Sequence, residues 1–211
     1  GRYEYRLRGT RGSVDYISMA TSRGSYAENF TQVETGFLDG NTLTVGADGT
    51  FEVVISQKQQ TGNWLAVSED SESLLIRQTF RHRDQETPAE ITIERLDRHA
   101  APEPLELMTA IAHFEKATAF YRNTTRMFAD WSQKISQHPN TLPLWDQAFC
   151  QMVGGDPNIL YYHGHFKLNN EEAMVITLPS IPACQTWNIQ VDNYWMESLD
   201  YRYHRVSLNQ A

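Results

Sequence analysis

The sequence predicts an α+β fold, an antiparallel β-sandwich-like body whose two β-stretches are separated by a long helical insert. Three observations carry this. Residues 1–100 hold short runs of alternating apolar and polar side chains, punctuated by Gly, Asp and Asn, as half-buried strands do. Residues 101–140 change to a three- and four-residue apolar period, and residues 141–211 return to strand-like runs. Strands and helices are segregated rather than alternating, which argues against the parallel sheet of a nucleotide-binding doubly wound fold.

Residues 2–8 and 14–20 read as strands joined by the turn-rich Gly9-Thr-Arg-Gly12. Residues 42–45 and 50–56 flank Ala47-Asp48-Gly49, and Asp-Gly between β-rich runs predicts a hairpin, because Gly supplies the positive φ. In Gly62-Asn63-Trp64-Leu65, Asn63 is expected to fix a turn and Trp64 to plug the sandwich edge. Residues 73–80 and 90–96 are two further strands, joined by a charged, exposed link at 81–87. Pro102 and Pro104 mark the break to the helix. From there Leu107, Ile111, Phe114, Thr118, Tyr121, Thr125, Phe128 and Ile135 form an amphipathic stripe to about residue 136, in one helix or two. Tyr121, Phe128 and Trp131 on that stripe read as core rather than as a cofactor box. After His138-Pro139-Asn140, the passage Gly154-Gly-Asp-Pro-Asn158 reads as a tight turn, with an anion-binding nest as the alternative. Strands are expected again at 159–168, 172–178, 186–192 and 205–208.

The composition narrows function by exclusion. A chain of 211 residues can bury a sizeable core, and 40% hydrophobic with 21% charged residues is ordinary for a globular protein. The net charge of −8 repels phosphate backbones and argues against nucleic acid. No apolar run is long enough for a bilayer span, which argues against a membrane partner. Arg2, Arg6 and Arg8 share one strand face with Glu4 and read as a solvated, ion-paired face rather than an anion site. Cys150 and Cys184 have no CxxC spacing, so neither a disulfide scaffold nor a thiolate metal knot is expected. Two free thiols fit a cytoplasmic setting. Asn29-Phe-Thr and Asn123-Thr-Thr match a glycosylation triplet that is common by chance.

Glycine-rich phosphate loops and the GxSxG elbow are absent. The chemistry-bearing residues gather near the C-terminus. Side chains two apart on a strand point the same way, so His163 and His165 are candidate ligands of a divalent metal, with Asp192 or Glu197 as the third. The alternative is a polar stripe with Tyr161. Asp192, Glu197 and Asp200 form a second constellation, in which Glu197 and Asp200 share a face if 193–200 turns helically. They suit acid and base roles with His163 as proton shuttle, or turn caps paired to Arg202 and Arg205. Trp187, Asn188, Asn193, Trp195 and Tyr201 supply the walls and hydrogen bonds of a cleft for a small polar or carbohydrate-like ligand. The competing reading makes the same segment a subunit interface, where Tyr and Trp are also enriched.

Arg8-Gly-Thr-Arg-Gly12, Gly62-Asn-Trp-Leu65, Arg77-Gln-Thr-Phe80, Pro139-Asn140, Gly154-Gly-Asp-Pro-Asn158, Trp187-Asn188 and Trp195-Met-Glu-Ser-Leu-Asp-Tyr201 resemble, over nearly the whole chain, the bacterial family catalogued as domain of unknown function 1214. The resemblance implies no established activity. It implies that the protein begins upstream of Gly1 and continues past Asn209 through a second Asp-Gly and Asn-Trp pair. That end would echo Asp48-Gly49 and Asn63-Trp64, hence two similar β-halves, 1–100 and a truncated 141–211, with the helical insert at 101–140 in one domain. A sandwich lacking a strand pair exposes an edge, which invites a homo-oligomer or pairing with the missing part. His165 departs from the aromatic residue that the family leads one to expect.

Overall fold

The computed structural model describes residues 1–28, 30–97 and 104–210. In chain order these form β1 (Tyr5–Thr10), β2 (Tyr16–Arg23), β3 (Val33–Asp39), β4 (Thr50–Ser56), β5 (Trp64–Ala66), β6 (Ser73–Thr79), β7 (Glu90–Arg95), α1 (Leu107–Ser136), α2 (Gln147–Met152), β8 (Asn188–Gln190) and β9 (Ser207–Asn209). The fold is α+β. Pro102 and Asn29 lie outside the described residues, and with them one mark of the helix boundary and one glycosylation triplet.

The first half builds two sheets over one core. β5-β4-β1-β7 is the four-stranded sheet and β3-β2-β6 the three-stranded one. The alternation in β1 and β4 turns Leu7, Phe51, Val53 and Ile55 inward, where they meet Ile17 and Met19 of β2 and Leu65 of β5. Each such side chain, wholly removed from water, stabilises the fold by about 1.5–3 kcal/mol. Arg6, Arg8 and Glu52 point outward, and Arg6 and Arg8 reach Glu52 and Glu94 across the strands at 2.9–3.5 Å. The basic strand face is thus ion-paired, as its alternation predicts. β2 is buried on both faces because loops of the second half cover its outer side.

At one edge the two sheets meet. Thr21 Oγ1 donates to the Ala66 carbonyl at 2.7 Å, and a Cβ at Gly36 would stand 2.1 Å from the same oxygen. Only glycine lets β3 approach β5 this closely.

α1 is a single unbroken helix, and its C-terminal half is anchored. Met127, Trp131, Ser132 and Ile135 are buried, and the three apolar ones join Cys150 and Val153 in a second core with Trp145, Phe149 and Tyr161 packed against it. Trp131 lies in this core as expected, and Phe128 packs at its margin, whereas Tyr121 is 75% exposed.

Several expectations change. Residues 42–45 are no strand, because the Asn63 side chain takes the backbone partners a neighbouring strand would use. Its amide bonds both the N–H and the carbonyl of Thr44 at 2.8 Å. The Asp48-Gly49 turn forms, with Gly49 at φ +81°, but joins no hairpin of two strands. Trp64 opens the edge strand β5 and donates to the Ser56 carbonyl. Residues 159–168 and 172–178 are not strands; the first makes two isolated bridges, Leu144 with Tyr162 and Pro139 with His165. The runs at 186–192 and 205–208 shrink to β8 and β9, which pair with each other alone. Beyond 140, where a mirror of the first half is expected, these are the two strands among the described residues. Three elements escape the sequence pattern: β3, an edge strand, and β5 and α2, too short to show a period. Asp146 caps α2 by accepting from Phe149 N at 3.0 Å.

Candidate functional site

His163 is held by aromatic rings from α1 and from the segments on either side of α2. Trp131 of α1 meets it edge-on at 5.2 Å between ring centroids, Trp145 at 5.8 Å, and Tyr161 stacks at 6.2 Å. Burial pushes its pKa below the ordinary imidazole value, and the Asp192 carboxylate pulls partly the other way. Its Nδ1 and the Trp131 Nε1 are enclosed without a hydrogen-bond partner among the described residues. His165 does not join it: its backbone carbonyl accepts from Asn140 N at 2.7 Å in the bridge to Pro139. Among the described residues no group of three or more His, Cys, Asp or Glu side chains is arranged to hold a metal ion. The His163–His165 pair therefore lacks the third ligand that the metal reading needs.

The acidic residues are engaged locally. Residues 193–198 form a compact turn, not a helix: Asn193 N donates to the Glu197 carbonyl at 2.8 Å and Met196 sits at φ +58°. Asn193 Oδ1 caps the N–H groups of Trp195 and Glu197, and its amide donates to the Glu197 carboxylate at 2.9 Å. Asp200 accepts two hydrogen bonds from the Arg202 guanidinium at 2.9 Å, which hold its pKa below the ordinary carboxylate value. Glu197 and Asp200 are exposed and share no helical face, and Asp192 alone is close enough to His163 to act on it. The expected acid–base constellation does not assemble.

The expected cleft walls are mostly open to water. Trp195 and Tyr201 are exposed, the latter 74%. Trp187 is half-buried beside β8, its backbone N–H bonded to Gln210, and Asn188 lies exposed in the β8–β9 pair. That ribbon is tied to the three-stranded sheet through Arg81, which donates to the Gln185 carbonyl at 3.0 Å and accepts from Asn209 at 2.7 Å.

Gly154-Gly-Asp-Pro-Asn158 forms a turn, as its sequence predicts, and the turn delivers a carboxylate that no local pattern announces. Asp156, 1% exposed, accepts from Ser18 Oγ of β2 at 2.8 Å and from Asn158 N at 2.9 Å, while Tyr161 Oη accepts from its N–H. Arg77 of β6 donates to the Gly154 carbonyl. Burial raises the pKa of Tyr16, Tyr26, Tyr161 and Glu34 around this knot, with Asp156 adding to the rise at Glu34. The arrangement fastens the second half onto the outer face of β2. The invisible half of the signal is Ser18, which lies 138 residues away.

What remains open is surface. A trough of about 830 Å³ crosses the outer face of the four-stranded sheet between Arg8, Thr50, Glu52, Asn63 and Thr92. It is wide, and its polar groups are largely spent on each other: Arg8 on Glu52, Asn63 on the backbone. Far more of the open surface is apolar. Of the large apolar side chains that are exposed, all but four (Tyr3, Val33, Leu75 and Ile93) lie beyond residue 104. Among the described residues no helix is long and apolar enough to cross a membrane.

The chain matches no family model and no curated protein. It is similar to the crystal structure of an uncharacterized protein from Burkholderia cenocepacia, at 45% identity and a TM-score of 0.96 over 100% of its own length. It spans 58% of that longer chain.

Proposed function

We propose that this chain is a non-catalytic interaction domain whose helical and C-terminal segments are covered by polypeptide. The observation that carries the reading is the one-sided exposure of apolar side chains. Phe114 and Tyr121 on α1, and Leu160, Val175 and Tyr203 in segments outside helix and strand, are each at least 68% exposed. Monomeric proteins rarely leave contiguous apolar patches beyond a few hundred Å² open to water. In this reading the two sheets are a sandwich, and the segment beyond 140 is its unfinished counterpart, awaiting another strand-rich surface. Kinship with the domain of unknown function 1214 family and a cytoplasmic setting, which the free Cys150 and Cys184 suit, belong to the same proposal. The alternative, a small polar or carbohydrate-like ligand held by Trp187, Asn188, Asn193, Trp195 and Tyr201, has less behind it, because all of these but Trp187 are exposed and none lines either the trough on the four-stranded sheet or the groove along α1.

Sedimentation velocity over a wide concentration range, beside a thermal-shift panel of sugars and small polar compounds, separates the two. The interaction reading expects a mass that climbs with concentration and no saturable thermal shift. A chain that stays monomeric and is stabilised by one class of small compound would overturn it.

A further inference from the structure

We propose that the outer face of α1 is a dimer seam, on which a second copy of this chain lays the same helix antiparallel. This deepens the interaction-domain reading and rests on it. Leu107, Phe114, Tyr121, Phe128 and Ile135 recur every seven residues, with Ile111, Thr118 and Thr125 between them. A strict seven-residue repeat over four turns and more is the pattern of a helix seated against another helix. Its C-terminal end is covered: Ile135 is buried, and Phe128 packs against the second core. Its N-terminal end is bare, with Leu107, Phe114 and Tyr121 at 73–75% exposure. Along this bare stretch it is the opposite side of α1 that faces the body. There Lys116 reaches Glu28 and Glu72 at 3.5 Å, Asn123 donates to the Ala27 carbonyl at 2.9 Å, and Phe120 stacks on Tyr26.

Charge selects the occupant. Glu115 and Arg122 flank the stripe and, with Ile111, Phe114, Thr118 and Ala119, line a shallow groove of about 380 Å³. They stand seven residues apart, whereas partners within one helix stand three or four apart, so they are not placed to neutralise each other. In an antiparallel pair with its twofold axis between the levels of Thr118 and Tyr121, Glu115 of each copy meets Arg122 of the other, and the pair occurs twice. The same register sets Phe114 opposite Thr125 and Tyr121 opposite Thr118, a large side chain against a small one in each layer. A parallel pair would instead place Glu115 beside Ala110 and Arg122 beside Ala117, leaving both charges unmatched. The face is self-complementary in one orientation only.

Sedimentation equilibrium of the full chain and four variants tests the seam, with circular dichroism confirming that each variant keeps its helix and sheet. Phe114→Asp, at an exposed position, is expected to abolish the dimer. Glu115→Arg and Arg122→Glu should each weaken it about tenfold, because two reciprocal attractions become repulsions. The double variant E115R/R122E should restore it. Association that ignores all four substitutions overturns the seam and leaves the broader interaction reading standing. A chain that remains monomeric at every concentration overturns both.

Discussion

At the scale of single residues, His163 and Asp156 show two ways of enclosing a titratable group. Asp156 is satisfied by Ser18 and Asn158, and so serves as a polar rivet between the halves. His163 is enclosed by rings with Nδ1 unpartnered, so its neutral form is the one the cluster favours. Because its folded pKa lies below the ordinary value, the unfolded chain binds the proton first as pH falls. The stability it contributes is full above about pH 6.5 and declines as pH drops below that value. Urea midpoints followed by tryptophan fluorescence should therefore fall from about pH 7.5 to about pH 5, and His163→Phe should flatten the slope while keeping the packing. An unchanged slope in the variant would move the effect to another group. The sequence makes His163 visible as a candidate metal ligand, a proton shuttle or one member of a polar stripe, and leaves the choice open, since period-2 spacing says which side chains share a face and nothing about what surrounds them. Asp156 shows as a turn residue; its partner on β2 is a tertiary fact beyond any local pattern.

At the scale of elements, what was legible depended on whether an element declares its own period. β1, β4 and α1 do, and their positions follow from alternation and from the helical stripe. β3 and α2 do not, being exposed at an edge or only six residues long. The runs at 159–168 and 172–178 carry strand propensity without a neighbouring strand to pair with, and propensity alone does not make a strand. The junction between sheets was likewise silent, although one glycine determines it. Gly36→Ala would drive a Cβ into the Ala66 carbonyl, where neither backbone can yield without displacing β3 from β5. A loss of about 1–3 kcal/mol in urea unfolding is expected, typical of overpacking. Gly49→Ala offers the contrast, since nothing lies within 4 Å of its Cβ and only the positive φ opposes the change. It should cost about 1–2 kcal/mol, the left-handed strain alone. Equal losses at both sites would mean that the β3–β5 approach is not the tight point of the fold.

At the scale of the whole molecule, two cores that share no buried residue are joined by polar links and by Tyr26 and Phe30, which pack from the first half against the second core. One lies between the sheets; the other gathers the end of α1, α2 and the loops around His163. Ser18 with Asp156, Arg77 with the Gly154 carbonyl, and Gln32 N with the Met152 carbonyl at 2.8 Å connect them. Because the two cores are separate clusters, the halves should open with different free energies. Composition could not foretell this, because apolar residues are spread along the chain while their burial is not. Amide hydrogen exchange reads it directly. In dilute solution β1, β2 and β4 should exchange slowest and residues 159–183 fastest, since most of their backbone has no ladder partner. Raising the concentration should slow exchange in 107–125, where a second helix would lie, and leave β2 unchanged. If 159–183 were as protected as β2 in dilute solution, the chain would be closing its own apolar surface. The inference from exposure to a covering partner would then lose its premise.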